Sequence, residues 1–196
     1  MRTVNPQRHA ARVEEILTGA ANSFAQHGYA NTTITELQRA TGCSSGTLFH
    51  YFSDKASMFR AIIEAGCADQ WDRLAAIDAG APTAFWSAVD ILRSDFTDPN
   101  APGLVGAILE RRSADPDLEK ILADHEKLVL DLLSGMIKRL QRRRLMDKSL
   151  TPDEAARWVV WTIDGIILHV NDHDFDPAQA SALLSRSLRS TLRLTD

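Results

Sequence analysis

Hydrophobic residues recur at spacings of three and four along most of the chain, which is the period of an amphipathic α-helix. The first such segment runs from Gln7 to His27, and Gly28 is expected to end it with a positive φ. No segment alternates apolar and polar residues with the period of a β-strand. The pattern therefore predicts an all-α protein.

The stretch from Thr32 to Lys55 interrupts this helical pattern at two places, first at Gly42 and again at Ser53. Thr33 and Glu36 have the spacing of a capping box, in which each side chain accepts a hydrogen bond from the other's backbone N–H. The spacing predicts a short second helix that ends at Gly42.

A third, equally short helix is expected from a Ser44 cap to about Phe52, and Ser53 is expected to cap a fourth helix with Asp54 in its first turn. Two short helices joined by a glycine-containing turn have the dimensions of a helix-turn-helix, whose second helix enters the DNA major groove. The positions expected to face inward are Ile34, Leu37, Cys43, Leu48 and Phe52.

The fourth helix is expected from about residue 54 to 77, connecting a helix-turn-helix domain at residues 1–55 to a second helical domain at residues 80–196. Gly80 and Pro82 mark the boundary. We interpret the second domain as a ligand-binding and dimerisation domain for the reasons that follow.

The segment from Ala155 to Val170 is apolar on nearly every side of the helix that it predicts. Such a helix must be buried on more than one side, so its second face is expected to meet another subunit. The final segment, Pro177 to Leu194, is rich in small residues that allow close helix packing. The two helices together predict a homodimer with a four-helix interface, two from each chain.

Composition adds a charge asymmetry and a compartment to this picture. The 196 residues are 44% hydrophobic and carry a formal net charge of −4, yet residues 1–60 hold six Lys/Arg against four acids. The N-terminal end is thus the part suited to a polyanion.

No secretory signal or membrane-spanning run is present, and Cys43 and Cys67 are read as buried small residues or, alternatively, a redox pair. We expect a cytoplasmic protein that does not interact with membranes.

The segment from Ile16 to Phe59 contains "AA", "HGY", "TTI", "GTL" and "YF" at fixed spacings, followed by a lysine just inside helix four. In these features it resembles the N-terminal domain of the TetR family of bacterial transcriptional regulators. The resemblance covers about the first 65 residues. It implies a regulator, most commonly a repressor, that binds a palindromic double-stranded DNA operator as a homodimer and is released by a small molecule.

The resemblance also implies which residues contact DNA, although each has a structural reading as well, such as a helix cap for Thr33 or a surface lysine for Lys55. Phosphate contacts are implied for Thr33, Thr47, His50, Tyr51 and Lys55. Base reading is implied for Thr35 and Ser45, and apolar contact with thymine methyl groups for Gly46 and Phe49.

An effector pocket is expected among the helices after residue 82, because aromatic walls with a few polar groups suit a largely apolar ligand. Aromatic residues at helical spacing are more often part of an ordinary core. The candidate lining is Phe85, Trp86, Phe96, Glu110, Trp158 and Trp161.

His169 and His173 are spaced four apart beside several aspartates, a pattern that could hold a metal. They lie at a helix end, where Asp174 and Asp176 are plausible caps, and no HExxH motif accompanies them. No nucleophile, base and orienting acid occur at a recognisable spacing, so neither an enzyme nor a cofactor is predicted. The alternative hypothesis is a dimeric helical ligand-binding or interaction protein whose helix-turn-helix does not bind DNA.

Overall fold

The computed structural model describes residues 6–194, and in this part of the chain all regular structure is helical, which confirms the all-α prediction. A short 3-10 helix at Ser94–Phe96 lies between the fifth and sixth α-helices. The α-helices are α1 (Pro6–Asn31), α2 (Ile34–Thr41), α3 (Ser45–Tyr51), α4 (Lys55–Ala75), α5 (Ala84–Leu92), α6 (Ala101–Arg112), α7 (Pro116–Arg142), α8 (Pro152–Ile167) and α9 (Pro177–Thr191).

The predicted breaks around the short helices α2 and α3 are present. Gly28 interrupts α1 with a φ of 74°, and Gly42 ends α2 in the left-handed region with a φ of 65°. Thr33 and Glu36 form the capping box that their spacing predicts, and the Ser44 side chain accepts from the Thr47 N–H. Each break therefore has a local chemical cause.

The predicted cap of α4 was wrong by one residue. The Asp54 carboxylate, not Ser53, accepts the Ser57 backbone N–H at 2.6 Å, and the Ser57 hydroxyl in turn accepts the Asp54 N–H at 3.1 Å. This backbone hydrogen bond lowers the pKa of Asp54. A carboxylate is the stronger acceptor beside the positive end of a helix, so it takes the capping position.

The helices form two compact units that do not follow the chain in order. The described residues up to Gly66, together with Gly103–Ile121, make the first unit; Cys67–Pro102 and the residues from Leu122 onwards make the second. Most of α6 and the start of α7 thus belong with the helix-turn-helix, whereas the sequence predicted one boundary near residue 80. The fully buried core of the first unit includes Ile16, Phe24, Leu37, Leu48 and Phe59.

In the second unit, α8 packs against α9 and against the 3-10 helix. The buried side of α8 carries Ala155, Val159 and Ile163, while Leu184 and Leu188 are buried on α9. Thr151 and Glu154 form a capping box at the start of α8, and Asp176 caps α9, as its position predicted. Among the described residues, no helix has the length and apolar character needed to cross a membrane.

Candidate nucleic-acid interface

The two short helices α2 and α3 meet through Gly42, Cys43 and Ser44. Leu37 and Leu48 are fully buried and Cys43 and Phe52 nearly so, which fixes both helices against the rest of the first unit. Burial of this kind supplies the stability that helices of eight and seven residues lack on their own. The opposite side of α3 is left as a rigid, accessible surface.

Most of the predicted DNA-contact residues lie on this accessible side of the helix-turn-helix. Thr33, Thr35, Gly46, Phe49 and His50 are exposed. Ser45, Thr47, Tyr51 and Lys55 are half-buried. Phe49 is notable because nearly half of a large apolar side chain is in contact with solvent, and a thymine methyl group is one surface that could cover it.

Hydroxyl groups at the ends of α2 and α3 also stabilise the helices. The Thr33 hydroxyl accepts the Glu36 N–H at 3.3 Å, and the hydroxyls of Ser44 and Thr47 lie 2.9 Å apart. The Thr33 N–H donates in return to the Glu36 carboxylate, a bond that lowers the pKa of Glu36. Hydroxyls keep further hydrogen-bonding capacity beyond one bond, so a capping role leaves room for a phosphate contact.

Lys55 is held differently from the other candidates. Its Nζ donates to the carbonyl oxygens of Tyr29, Thr32 and Ala30 at 2.8, 3.0 and 3.4 Å. The same ammonium lies 4.4 Å from the centre of the Tyr29 ring, and burial lowers its pKa. An ammonium group has three donors, and all three have partners in the segment from Tyr29 to Thr32, which follows the Gly28 interruption of α1.

A second cluster, which the sequence did not predict, links α6 to the same segment, Tyr29 to Thr32. The Glu110 carboxylate accepts the Ala30 N–H at 2.9 Å, and the Arg111 guanidinium lies 5.0 Å from the Tyr29 ring centre. Tyr29 is thereby in contact with two cations, Lys55 and Arg111. Burial raises the pKa of the Tyr29 hydroxyl, against the lowering effect of Arg111.

Asp115 joins three helices of the first unit through one buried carboxylate. Its two oxygens accept hydrogen bonds from Arg60 Nη1 at 2.9 and 3.1 Å. It also accepts the Arg111 Nε–H at 3.2 Å and the Leu118 N–H at the start of α7. Burial alone would raise the pKa of Asp115, but these donors outweigh it and lower the pKa. An aspartate before Pro116 is a recognisable helix cap in sequence, whereas its partner Arg60, 55 residues earlier in the chain, could not be predicted from spacing.

The predicted pocket residues are not brought together as a set. Glu110 belongs to the first unit, where it binds Ala30. In the second unit Phe85 and Phe96 are buried and Trp86 is half-buried under the Arg189 guanidinium, which lies 4.7 Å from the Trp86 ring centre. Trp158 and Trp161 are exposed on α8.

Two cavities of the second unit differ from the predicted aromatic pocket. A groove of about 380 Å³ is lined largely by charged side chains of α7 and α8, including Glu126, Lys127 and Arg157. A small cavity of about 20 Å³ is lined by residues that include Phe85, Met136 and Leu140. The first is polar, and the second is far smaller than the roughly 300–1,000 Å³ of a typical ligand pocket.

The histidine and aspartate residues before α9 form local hydrogen bonds. His169 Nδ1 lies 2.8 Å from Asp172, and Asp176 accepts the N–H groups of Ala178 and Gln179. Within residues 6–194 no group of three or more His, Cys, Asp or Glu side chains is arranged to hold a metal ion. The capping role predicted for Asp176 is the one observed.

Comparison with known proteins agrees with this geometry. Residues 16–62 match the family model described as "Bacterial regulatory proteins, tetR family". The chain is 30% identical over 170 residues to the HTH-type transcriptional repressor AcnR of Corynebacterium diphtheriae, covering 85% of each chain.

Solved structures share the fold at low sequence identity. A TetR transcription regulator from Haloarcula marismortui has a TM-score of 0.81 at 15% identity, covering 95% of this chain and 100% of that one. The regulator FadR from Bacillus subtilis in complex with stearoyl-CoA has a TM-score of 0.72 at 20% identity, covering 88% and 95%. The similarity to AcnR along most of both chains, with the match of the helix-turn-helix to the family model, shows that this chain belongs to the TetR family of bacterial transcriptional regulators.

Proposed function

We propose that this protein is a repressor that binds a palindromic DNA operator as a homodimer and releases it when a largely apolar small molecule binds the second unit. The observation that carries the proposal is the rigid α3 surface, where hydroxyls, small residues and aromatic rings are accessible beside the buried Leu48. Related proteins are named as repressors, which favours repression over activation.

We propose that α3 enters the major groove. Ser45 on α3 and Thr35 on α2 would read base edges, and Gly46 and Phe49 would meet thymine methyl groups. Phosphate contacts are assigned to the hydroxyl and ring side chains at the edges of this surface, which are Thr33, Thr47, His50 and Tyr51.

Lys55 is assigned a different role from the phosphate contact that the resemblance implies. Its ammonium donors are taken up by the carbonyl groups of Tyr29, Thr32 and Ala30. We therefore assign it as a positioning residue that holds the segment from Tyr29 to Thr32, just before α2, in place.

The proposed dimer interface is the exposed face of α8 and the adjoining part of α9. Trp158 and Trp161 are exposed on α8, Leu168 is exposed directly after it, and Leu183 is exposed on α9. An exposed apolar stripe of this kind favours association between proteins. The exposed tryptophans are therefore assigned to subunit contact and not to the effector pocket.

A two-fold symmetric dimer would present two α3 helices to two half-sites, about one turn of DNA or roughly 34 Å apart. An effector that favours a dimer geometry with a different spacing would then weaken operator binding. Phe85, Trp86 and Phe96 remain the candidate effector residues of the second unit. The stearoyl-CoA bound by the related FadR is a reasonable first ligand to test.

The test is selection of DNA duplexes by the purified protein from a random-sequence pool, followed by fluorescence anisotropy with the selected duplex. The expected result is a palindromic consensus, bound by two chains, with an affinity that falls as salt is raised. Failure to enrich any sequence, with the dimer intact, would contradict the proposal and favour a ligand-binding protein that has lost DNA recognition.

A further inference from the structure

The N-terminal half of α1 packs against the proposed reading helix through aromatic rings. The His9 imidazole lies 5.1 Å from the Tyr51 ring, measured between ring centres, with the planes tilted by 48°. Tyr51 contacts His50 on its own helix at 5.2 Å. Both histidines are exposed and Tyr51 is half-buried. One residue of α1 and two of α3 thus form a continuous accessible ring cluster.

A second contact fixes the same face of α1 against the helix-turn-helix. Arg12 lies one helical turn after His9 and therefore on the same face of α1. Its Nη2 donates to the Cys43 thiol sulfur at 3.0 Å, within the turn that joins α2 to α3, and its Nη1 pairs with Glu15 at 2.6 Å. His9 is consequently carried by a helix that is anchored to the turn and is not part of a loose arm.

The charge of this end of α1 suits a phosphate. From Gln7 to Val13 the chain carries Arg8, His9 and Arg12 and no acid, and the first carboxylate is Glu14. An imidazole N–H is a hydrogen-bond donor in either tautomer, and a protonated ring adds a positive charge. The His9 ring therefore has the chemistry to bind an anionic oxygen.

Tyr51 provides the geometric link to DNA. Neighbouring phosphates of one strand are about 3.4 Å apart along the helix axis and farther apart through space, so a donor about 5 Å from a phosphate ligand is within reach of the same phosphate or the next one. We propose that His9 is a DNA-contact residue that binds the backbone phosphate beside the Tyr51 contact, so that the interface extends from the helix-turn-helix onto α1. This inference rests on the proposed DNA-binding function.

The test compares His9→Ala, His9→Phe and His9→Lys by anisotropy with the duplex selected by the wild-type protein. The alanine variant is expected to bind roughly 100-fold more weakly, because one hydrogen bond to a charged group, about 10-fold each, is lost from each subunit of the dimer. The phenylalanine variant retains a ring against Tyr51 but has no donor, so it is expected to be equally weak. The lysine variant is expected to recover most of the affinity. His173→Ala, an exposed histidine in the second unit, is the matched control and should bind like wild type.

Salt titration separates contact from packing. A lost phosphate contact lowers the affinity for every sequence alike, and with a charged ring it also reduces the dependence of log affinity on log salt by about two, one for each subunit of the dimer. Wild-type affinity in His9→Phe would show that the ring only supports Tyr51, and wild-type affinity in His9→Ala would show no role; either result overturns the inference. Both leave the proposed function standing, which fails only if the wild-type protein selects no duplex.

Discussion

At the scale of single residues, Lys55 makes contacts that its position in the chain does not predict. Its ammonium donates to the Tyr29 carbonyl oxygen and lies over the Tyr29 ring. The position follows from sequence, because a lysine just inside the fourth helix is part of the family pattern. The direction of the side chain does not, because it depends on where three carbonyl groups happen to lie.

Lys55→Met should destabilise the protein, because methionine keeps the apolar stem but leaves carbonyl oxygens without a charged donor. We expect a loss of about 2 kcal/mol in the free energy of unfolding, measured by urea denaturation. Tyr51→Phe is the companion variant, expected to weaken DNA binding while leaving unfolding unchanged. Unaltered stability together with weaker DNA binding in Lys55→Met would return this lysine to the phosphate contacts.

Asp115→Asn should cost about 3 kcal/mol of unfolding free energy at neutral pH, because it leaves Arg60 and Arg111 without a counter-charge around a site that is 3% exposed. Asp117→Asn is the control, since that carboxylate is 79% exposed and 4.0 Å from Arg60. Urea denaturation of both variants and the wild type checks the difference. A cost for Asp115→Asn no greater than that of the control would mean that the buried charge contributes nothing.

The same carboxylate predicts a pH dependence. Its pKa in the folded protein lies below the ordinary value, so the stabilisation is fully present above about pH 4 and is lost as the pH falls through the folded-state pKa. The stability gap between wild type and Asp115→Asn should therefore narrow in acid. Denaturation series at pH 7 and near pH 3 measure that gap, and a gap that stays constant would contradict the assignment.

At the scale of elements, the ends of helices were the most predictable features. Thr33, Ser44 and Asp176 cap helices as their positions predict, because a cap depends only on the residues that follow it within one turn. The error at Asp54 arose where serine and aspartate stood side by side. The hydrogen bond from the Ala30 N–H to Glu110 joins residues 80 apart in the chain, so no local sequence pattern predicts it.

Two glycines with positive φ give a matched comparison of element ends. A Cβ at Gly42 would meet nothing within 4 Å, whereas one at Gly28 would lie 2.7 Å from the Glu110 carboxylate. Gly42→Ala should thus cost only the backbone strain, about 1–2 kcal/mol of unfolding free energy. Gly28→Ala should cost more, because its ψ of 173° falls in a region nearly confined to glycine and the contact with Glu110 is displaced.

Thermal and urea unfolding measure whether Gly28→Ala costs more unfolding free energy than Gly42→Ala. A double-mutant cycle then combines Gly28→Ala with Glu110→Ala. Non-additive costs for Gly28→Ala and Glu110→Ala would follow from their shared contact. Equal costs for the two glycine variants would show that the approach of Glu110 adds no constraint.

At the scale of the whole molecule, the apolar composition of α8 was predictable, but which of its sides packs against its own chain was not. The sequence indicated burial on more than one side, and the structure buries Val159 and Ile163 within the second unit while leaving Trp158 and Trp161 accessible. Both tryptophans were equally good candidates for a pocket in the sequence, since hydrophobicity alone does not say which face of a helix meets its own chain. The proposed dimer gives the accessible face a partner.

Trp161→Glu should convert the proposed dimer to a monomer, because it places a charge in the middle of the apolar stripe of α8. Leu109→Glu is the control, since Leu109 is 59% exposed and Trp161 60%, but Leu109 lies on α6 outside that stripe. Light scattering after gel filtration gives the mass of each variant. A dimeric Trp161→Glu protein would place the subunit contact elsewhere.

The arrangement of the first unit also bears on how sensing and reading halves can be exchanged between regulators. A transplant that cut the chain at residue 66 would separate Tyr29, Lys55 and Arg60 from the α6 and α7 residues that hold them. Residues 103–121 would have to travel with the DNA-reading half, as an insert inside the other half's sequence. We therefore expect a gene fusion at one point to give a less stable hybrid than recombination that preserves both segments.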